Sequence, residues 1–431
     1  MITREHFSIR ISILLIIACL AGVHMSIGQG SNTIILQNAD IFTGKRLPNG
    51  EDVRELTGHV RFKQGNVQGY CDKATQFMNR NEIELIGNVK IIRDTVTLTS
   101  KKCRYFGNSR KADGEGNVKL RTPNVTLFAD YGTYYLDEKK AFFHKNVRVV
   151  DSTTTIYSEQ LTYFENLRKS IAMLHVKIVN ANDNVTMFGN YLEHFDSTRY
   201  SKMTEHPRLM QVDTNDNGEI DTLAVKSEVM ESYDDTSRRM IATDSVLIVR
   251  KEMAARCGML KYFLRDQKID LFKTPIVWYE RNQVTGDTIF LTLKNNKLQK
   301  AAIHGHAFVL SQSDSAHPRR YDQLTGRSIS LWFHNNALQE TYVEQNAVSL
   351  YYLYDGTDPN GANKASGDYI RMKFDSGKPN TIHVTRGIEG VYYPENIVEK
   401  DESKYNLDGF RLISNRPLFS TIFPSRTLFI Q

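Results

Sequence analysis

Residues 83–91 read Ile-Glu-Leu-Ile-Gly-Asn-Val-Lys-Ile, and residues 112–120, one step of 29 later, read Ala-Asp-Gly-Glu-Gly-Asn-Val-Lys-Leu. The shared Gly-Asn-Val-Lys is one rung of a longer ladder. Val60, Val89, Val118, Val147 and Val176 follow one another in unbroken steps of 29. Before them stand His59, Asn88, Asn117, Asn146 and His175, preceded by Gly58, Gly87 and Gly116 in the first three copies. Two places after them come Phe62, Ile91, Leu120, Val149 and Ile178. Half a repeat away, Leu98, Leu127 and Ile156 keep the same step, with Ser100, Ala129 and Ser158 two residues on and Tyr105, Tyr134 and Tyr163 beyond. Several columns sharing one period mark a repeat architecture.

Within each copy, apolar and polar residues alternate. Ile83, Leu85, Val89 and Ile91 are apolar, with Glu82, Glu84, Asn88 and Lys90 between them. Period two puts the apolar set on one face of a strand. The Gly-Asn or Lys-Asn step beside each valine fits a turn or bulge that redirects the backbone. Each repeat is therefore two strands with one apolar face, which only stacking against its neighbours can bury. The Asn88/Asn117/Asn146 column reads first as structural, an Asn ladder beside glycines, and second as a polar ligand-binding rim.

The second half repeats with a longer step. Gly286–Leu298 corresponds to Gly326–Leu338 at a shift of 40, with Ile303 and Ala307 matching Val343 and Ala347 and a looser copy at Gly367-Asp-Tyr-Ile370. Residues 196–222 between the arrays are polar and irregular, a linker or long hairpin. Residues 223–395 form the second repeat region, and 396–431 a C-terminal strand or tail.

The 431 residues are 40% hydrophobic and 24% charged, a globular composition unsuited to a helical membrane bundle or a disordered chain. Arg4 and Arg10 precede an apolar stretch from Ile11 to Val23, and Ser26 and Gly28 fit a cleavage site before Gln29. Residues 1–28 thus read as a cleaved export signal and the mature protein as soluble and exported; a lipoprotein acylated at Cys19 is the lesser alternative. Removing that segment takes the net charge from +6 to +5, with both signs interspersed. That is no nucleic-acid footprint. Cys71, Cys103 and Cys257 remain, an odd number without CxxC spacing, so neither a disulfide framework nor a zinc site is indicated.

No motif for a cofactor or for catalysis stands out. Asp213, Asn215, Asn217, Gly218 and Asp221 mimic a calcium loop, but Ala224 stands where the closing acid belongs, so a polar turn is expected. His304 and His306, two apart on a strand, would share a face but lack a third metal ligand. Asp314, Ser315 and His317 crowd one loop without an oxyanion-hole context. Walker, Rossmann and HExxH motifs are absent, and the chain reads as a non-enzyme.

The informative feature remains the apolar columns. Few large aromatics stand on them, and Tyr and Phe cluster at other registers. The expectation is an unplugged apolar groove lined by Val60, Leu85, Val89, Ile91, Leu98, Val118, Leu120, Leu127, Val147, Val149, Ile156, Val176 and Ile178. Lys90, Lys119 and Arg148 alternate with this lining and so face outward or edgewise.

These residues resemble the OstA/LptA family of lipopolysaccharide-transport proteins, which includes the soluble N-terminal part of LptD. The resemblance is carried by G-N-V-x-[IL] at Gly87–Ile91 and Gly116–Leu120 and T-L-x-[SA] at Thr97–Ser100 and Thr126–Ala129. Ala-Asp-Tyr at 129–131 and Tyr-Ser-Glu at 157–159 extend it. It is strongest over residues 50–195. It implies a mainly-β fold, an elongated antiparallel β-jelly roll or β-taco of stacked repeats with two facing sheets, and an OstA-like domain over residues 29–195. It also implies a periplasmic bridge that carries lipopolysaccharide or a related glycolipid towards the outer membrane. Partners would be other jelly-roll transport components docking by edge-strand β-augmentation, with head-to-tail self-association as a further mode. The chain is too short to carry the LptD barrel. Competing classes are a parallel β-helix enzyme or adhesin, disfavoured because no column repeats acids, and an envelope scaffold with a filled core.

Overall fold

The column of His and Asn residues is explained by backbone geometry. In the computed structural model, which describes residues 35–424 apart from short loop stretches such as 181–183 and 215–217, every second long strand carries two consecutive left-handed residues. They are Gly58-His59, Gly87-Asn88, Gly116-Asn117, Lys145-Asn146 and Leu174-His175, with φ between 44° and 79°. Gly and Asn enter this region most cheaply, whereas other residues meet about 1–2 kcal/mol of resistance. At each pair the pairing register shifts, for example between Ile86 and Val89 and between Glu115 and Val118. A bulge of this kind bends the strand. Repeated in line, the bends crease the whole sheet. The export-like segment 1–28 and Cys19 lie outside the described residues.

The crease is held from outside. Asn88 Nδ2 donates to Asp72 Oδ2 and Asn146 Nδ2 to Asp130 Oδ2, both at 2.9 Å, while His59 Nδ1 lies 2.9 Å from Asp40 Oδ2. The Asn column is therefore structural, as its first reading held: the left-handed residue clamps a carboxylate on the neighbouring strand.

The chain divides into two compact units, one ending at Pro207 and one starting at Arg208. In the first, two short strands, Ile35–Asn38 and Ile41–Arg46, pair with the two ends of Asp52–Gln64. Antiparallel hairpins of ten- to thirteen-residue strands then follow from Asp52–Gln64 to Val185–Phe195, each strand pairing with the next. On the strands that carry a left-handed pair, residues before the crease make a first wall and residues after it a second; on the antiparallel strands between them the order is reversed. Among the described residues of this unit every regular element is a strand. The inner face can be buried only by the other half of the same sheet, so the two facing layers are two halves of each strand.

The second unit uses the same device. Left-handed pairs recur at Asp244-Ser245, Lys273-Thr274, Gly305-His306 and Gln345-Asn346. Its later strands, Lys297–Gln312, Tyr321–His334, Ala337–Asp355 and Asp358–Asp375, run to 14–19 residues, which accounts for the 40-residue step. Leu271, Ile289, Ile303, Ile329, Val343 and Ile370 form one cross-strand row, all buried. Tyr351 Oη reaches Met372 Sδ at 3.1 Å, linking one wall to the other.

The crease corrects one expectation. His304 and His306 do not share a face, because the bend lies between them. His304 packs its ring near Phe290, and His306 Nδ1 sits 3.1 Å from Asp287 Oδ2 at the corner. Of the stretch 213–221, residues 215–217 and 219 lie outside the described residues; the strands Arg208–Thr214 and Ile220–Lys226 on either side of it pair antiparallel, and Asp221 accepts from Arg250 at 2.8 Å. Asp314 meets His317 at 2.8 Å in its loop, and Ser315 lies outside the described residues.

The C-terminal segment, expected as strand or tail, holds no strand in its described part, 396–424. It is a strap of single helical turns and extended chain laid on the second unit. Val398 and Leu407 pack with Phe308, Leu310, Leu350 and Tyr352. These positions alternate with the inward ones, so they lie on the outer face, which is apolar here and needs covering. The strap is pinned by buried polar side chains. Arg320 donates to Glu402 Oε1 at 2.7 Å and Glu395 Oε1 at 2.6 Å. Gln323 Oε1 accepts from Leu407 N at 2.8 Å, and Gln283, one repeat earlier, bonds Arg411 O at 2.7 Å and Ile413 N at 2.9 Å. The strap escaped the repeat pattern because it is not a repeat.

Two outcomes are expected. Gly132 lies under the ring of Phe143, whose nearest atom would sit 2.9 Å from an added Cβ. Gly132→Ala should cost about 1–3 kcal/mol in chemical denaturation, and adding Phe143→Leu should recover about 1 kcal/mol, a coupling absent if the ring is not there. Arg320→Met removes the buried cation between Glu395 and Glu402, leaving Glu395 without an ion pair and Glu402 with only the exposed Arg319, and should cost about 3–5 kcal/mol. Limited proteolysis should then cut within 394–424 first; unchanged protection of that segment would show that the strap does not depend on Arg320.

Candidate functional site: the creased interior

The thirteen expected lining residues fall into place once register is known. Seven lie on one uninterrupted cross-strand row of the second wall: Phe62, Gly69, Ile91, Leu98, Leu120, Leu127, Val149, Ile156, Ile178 and Met187 face one another in that order across ten strands. Five, Val60, Val89, Val118, Val147 and Val176, form the floor at the crease. There each valine is opposite a small residue: Cys71, Ser100, Ala129, Ser158 and Gly189 respectively. A sharp bend leaves little room, and the medium–small alternation fills it without clash. Leu85 stands across the crease on the first wall, buried in one cluster with Val60, Phe62 and Val89.

Ten of the thirteen are no more than 3% exposed, while Ile91, Leu98 and Leu120 are half-buried. The interior is thus closed along most of its length, not an unplugged trough. Aromatics do enter it. Phe62 is buried over Gly69, Phe143 over Gly132, and Tyr163 is buried nearby. Phe143 belongs to a 29-residue column of its own, Leu56, Leu85, Gly114, Phe143 and Ala172, in which one large ring offsets the small residues around it. That column was legible in the sequence, but its meaning required knowing that the walls meet.

The end of the interior is different. Leu36 pairs with Phe62 and Phe42 with Leu56, which sets both on the inward face at the first strands of the sheet. They are 44% and 58% exposed. Ile35 and Ile41 beside them are exposed too, and these short strands pair on one side with Asp52–Gln64. The interior therefore opens to water at this edge, where among the described residues the two short strands pair only with Asp52–Gln64. The sequence reading missed these residues, because strands of four and six residues show too little alternation.

Chemically the interior is aliphatic. Cys71 and Cys103 are free thiols within it; burial pushes them up to about 11 and about 12, which leaves them protonated and inert at neutral pH. Among the described residues no group of three or more His, Cys, Asp or Glu side chains converges on a metal-sized site, and no helix is long and apolar enough to cross a membrane.

Comparison with known proteins adds the lineage. Residues 31–188 match the family described as OstA-like protein. Among solved structures, the crystal structure of LptH from Pseudomonas aeruginosa, the LptA homologous periplasmic component of the conserved lipopolysaccharide transport device, aligns at 12% identity with a TM-score of 0.27. The alignment covers 33% of this chain and 95% of that one. No curated protein matches the chain. The matched segment 31–188 is the one that holds the crease column and all thirteen of these apolar residues.

Proposed function

We propose that the N-terminal unit is a non-enzymatic, periplasmic lipid carrier that takes the acyl chains of lipopolysaccharide or a related glycolipid between its two walls and passes them towards the outer membrane. The supporting observation is the apolar interior, whose ten-strand row ends in exposed Leu36 on the second wall and whose first wall ends in exposed Phe42. Each methylene left in water costs about 0.8 kcal/mol, so a chain of a dozen carbons costs on the order of 10 kcal/mol in the open. Between the walls that chain replaces one set of aliphatic contacts by another. The walls meet through side-chain packing, and the crease is their continuous covalent connection, so the interior can part along its free margin. Half-buried Ile91, Leu98 and Leu120 mark where parting needs the least. The exposed edge at Ile35–Asn38 and Ile41–Arg46 offers its free backbone groups to another groove domain, or to a second copy, which would extend the apolar path by strand addition.

The tight burial favours a second reading, an envelope scaffold whose core is permanently filled. A photo-crosslinking residue separates the two. Placed at Leu98 or Leu127, it should form adducts with glycolipid in cells; placed at Lys119, which alternates with them, it should form few. Adducts at Lys119 alone would contradict the inward route, and none at any position would leave the scaffold. Phe42→Glu should weaken association with a docking partner by about tenfold, read by co-purification, if the edge is where the next domain joins.

A further inference from the structure

The outer face of the second wall carries a row as regular as the inner one. Arg61, Lys90, Lys119, Arg148 and Lys177 repeat every 29 residues on the odd strands. Between them on the intervening strands stand Tyr70, Thr99, Phe128, Tyr157 and Phe188. Pairing runs without a break from Arg61 through Tyr70, Lys90, Thr99, Lys119, Phe128, Arg148, Tyr157 and Lys177 to Phe188. Cations alternate with four rings and Thr99 along a line that crosses ten strands. The rings hold the cations in place: Arg61 lies 5.3 Å from the Tyr70 centroid, Lys119 and Arg148 lie 5.3 Å and 4.4 Å from Phe128, and Lys177 lies 5.8 Å from Tyr157.

The charge on this row is not neutralised within the fold. Among the described residues none of the five cations pairs with a carboxylate. Acids on the same side, Asp72, Asp130 and Glu159, sit one column away at the crease, where Asp72 and Asp130 are engaged by Asn88 and Asn146. Lys63 and Arg121, two residues beyond Arg61 and Lys119 on the same faces of their strands, add to the positive field. Five like charges in line, four of them seated on rings and none paired with a carboxylate among the described residues, call for an external anion with the same repeat.

We propose that the outer face of the second wall binds a linear acidic polysaccharide laid across the strands, with its anionic groups on this row of cations. Alternate strands are about 10 Å apart. A pyranose unit advances its chain by roughly one interstrand spacing, so a glycan with one acid per disaccharide meets one cation per repeat. The intervening rings and Thr99 receive the unsubstituted sugars. Twist argues against a flat bilayer. Adjacent strands rotate by roughly 20–25°, so a ten-strand row turns away from any single plane while a flexible chain can follow it. Single-stranded nucleic acid carries a charge on every unit and matches the spacing less well. This inference stands apart from the acyl-chain reading: one concerns the outside of the sheet and the other its inside, and either can fail alone.

The test uses the full chain and hyaluronan decasaccharide, a probe with one carboxylate per disaccharide, followed by calorimetry at low and physiological salt. Maltodecaose, a dT decanucleotide and phosphatidylglycerol vesicles are the comparison ligands. Hyaluronan should bind in a salt-sensitive manner and more tightly than each comparison ligand. Lys90→Gln, Lys119→Gln and Arg148→Gln together should weaken it about tenfold, the sum of three modest exposed contacts. A control set, Lys73→Gln, Lys102→Gln and Lys139→Gln, removes the same charge elsewhere and should change binding less than about twofold. The proposal is overturned if hyaluronan binds no better than maltodecaose, if the oligonucleotide or the vesicles bind more tightly, or if the two variant sets lose affinity equally.

Discussion

The structure depends on a pair of left-handed residues placed mid-strand. An ordinary strand of eleven residues would lie flat in one layer and leave its apolar face in water. Bent at Gly87-Asn88 or Gly116-Asn117, the same strand contributes to both walls and covers itself. Everything else follows from keeping those bends aligned. The valine after each bend must meet a small residue, hence Val89 opposite Ser100 and Val118 opposite Ala129. The Asn side chain has a carboxylate to clamp, hence Asp72 and Asp130. One inserted residue would shift a bend out of line and turn the inward face outward, which is why the step of 29 is kept without a gap. In the second unit the bends persist while the arms lengthen.

The repeat was readable because each of its columns answers a physical demand that few residue types meet. A left-handed position favours Gly or Asn, and a cramped floor favours Val beside Ser or Ala. The two-strand repeat, its inward columns and the structural role of Asn88 could be read from spacing alone. Closure of the interior could not. Whether opposite walls touch depends on the angle of the crease, which no period encodes, and a single ring such as Phe143 fills space left by residues on other strands. The strap was also out of reach. Arg320, Glu395 and Glu402 meet across about eighty residues of chain, a juxtaposition made by folding and not by local pattern. The outer cations were visible as Lys90, Lys119 and Arg148, but only the strand register showed that aromatic rings stand between them.

One sheet thus presents two unlike surfaces. Inside, apolar side chains, mostly aliphatic with a few rings set against glycines, follow one another with no strong contact at any point. Outside, evenly spaced charges await partners that the fold does not provide. On the proposed carrier reading, the closed interior is the empty state, in which the walls satisfy each other until something of equal apolarity arrives. The two units differ in how they treat the outer face of the second wall, which is charged in the first and covered by the strap in the second.

The central claim is that the crease works as a hinge, with the interior shut when empty and parted when loaded. It is tested by the distance between spin labels at Lys111→Cys and Arg121→Cys, on the far ends of one strand across the crease, with Cys71, Cys103 and Cys257 replaced by Ala. On adding purified lipopolysaccharide the distance distribution should move to longer values, and no such shift should follow addition of its delipidated saccharide. An unchanged distance with lipid demonstrably bound would mean that the walls do not part, and the account of the interior as a carrier would be wrong.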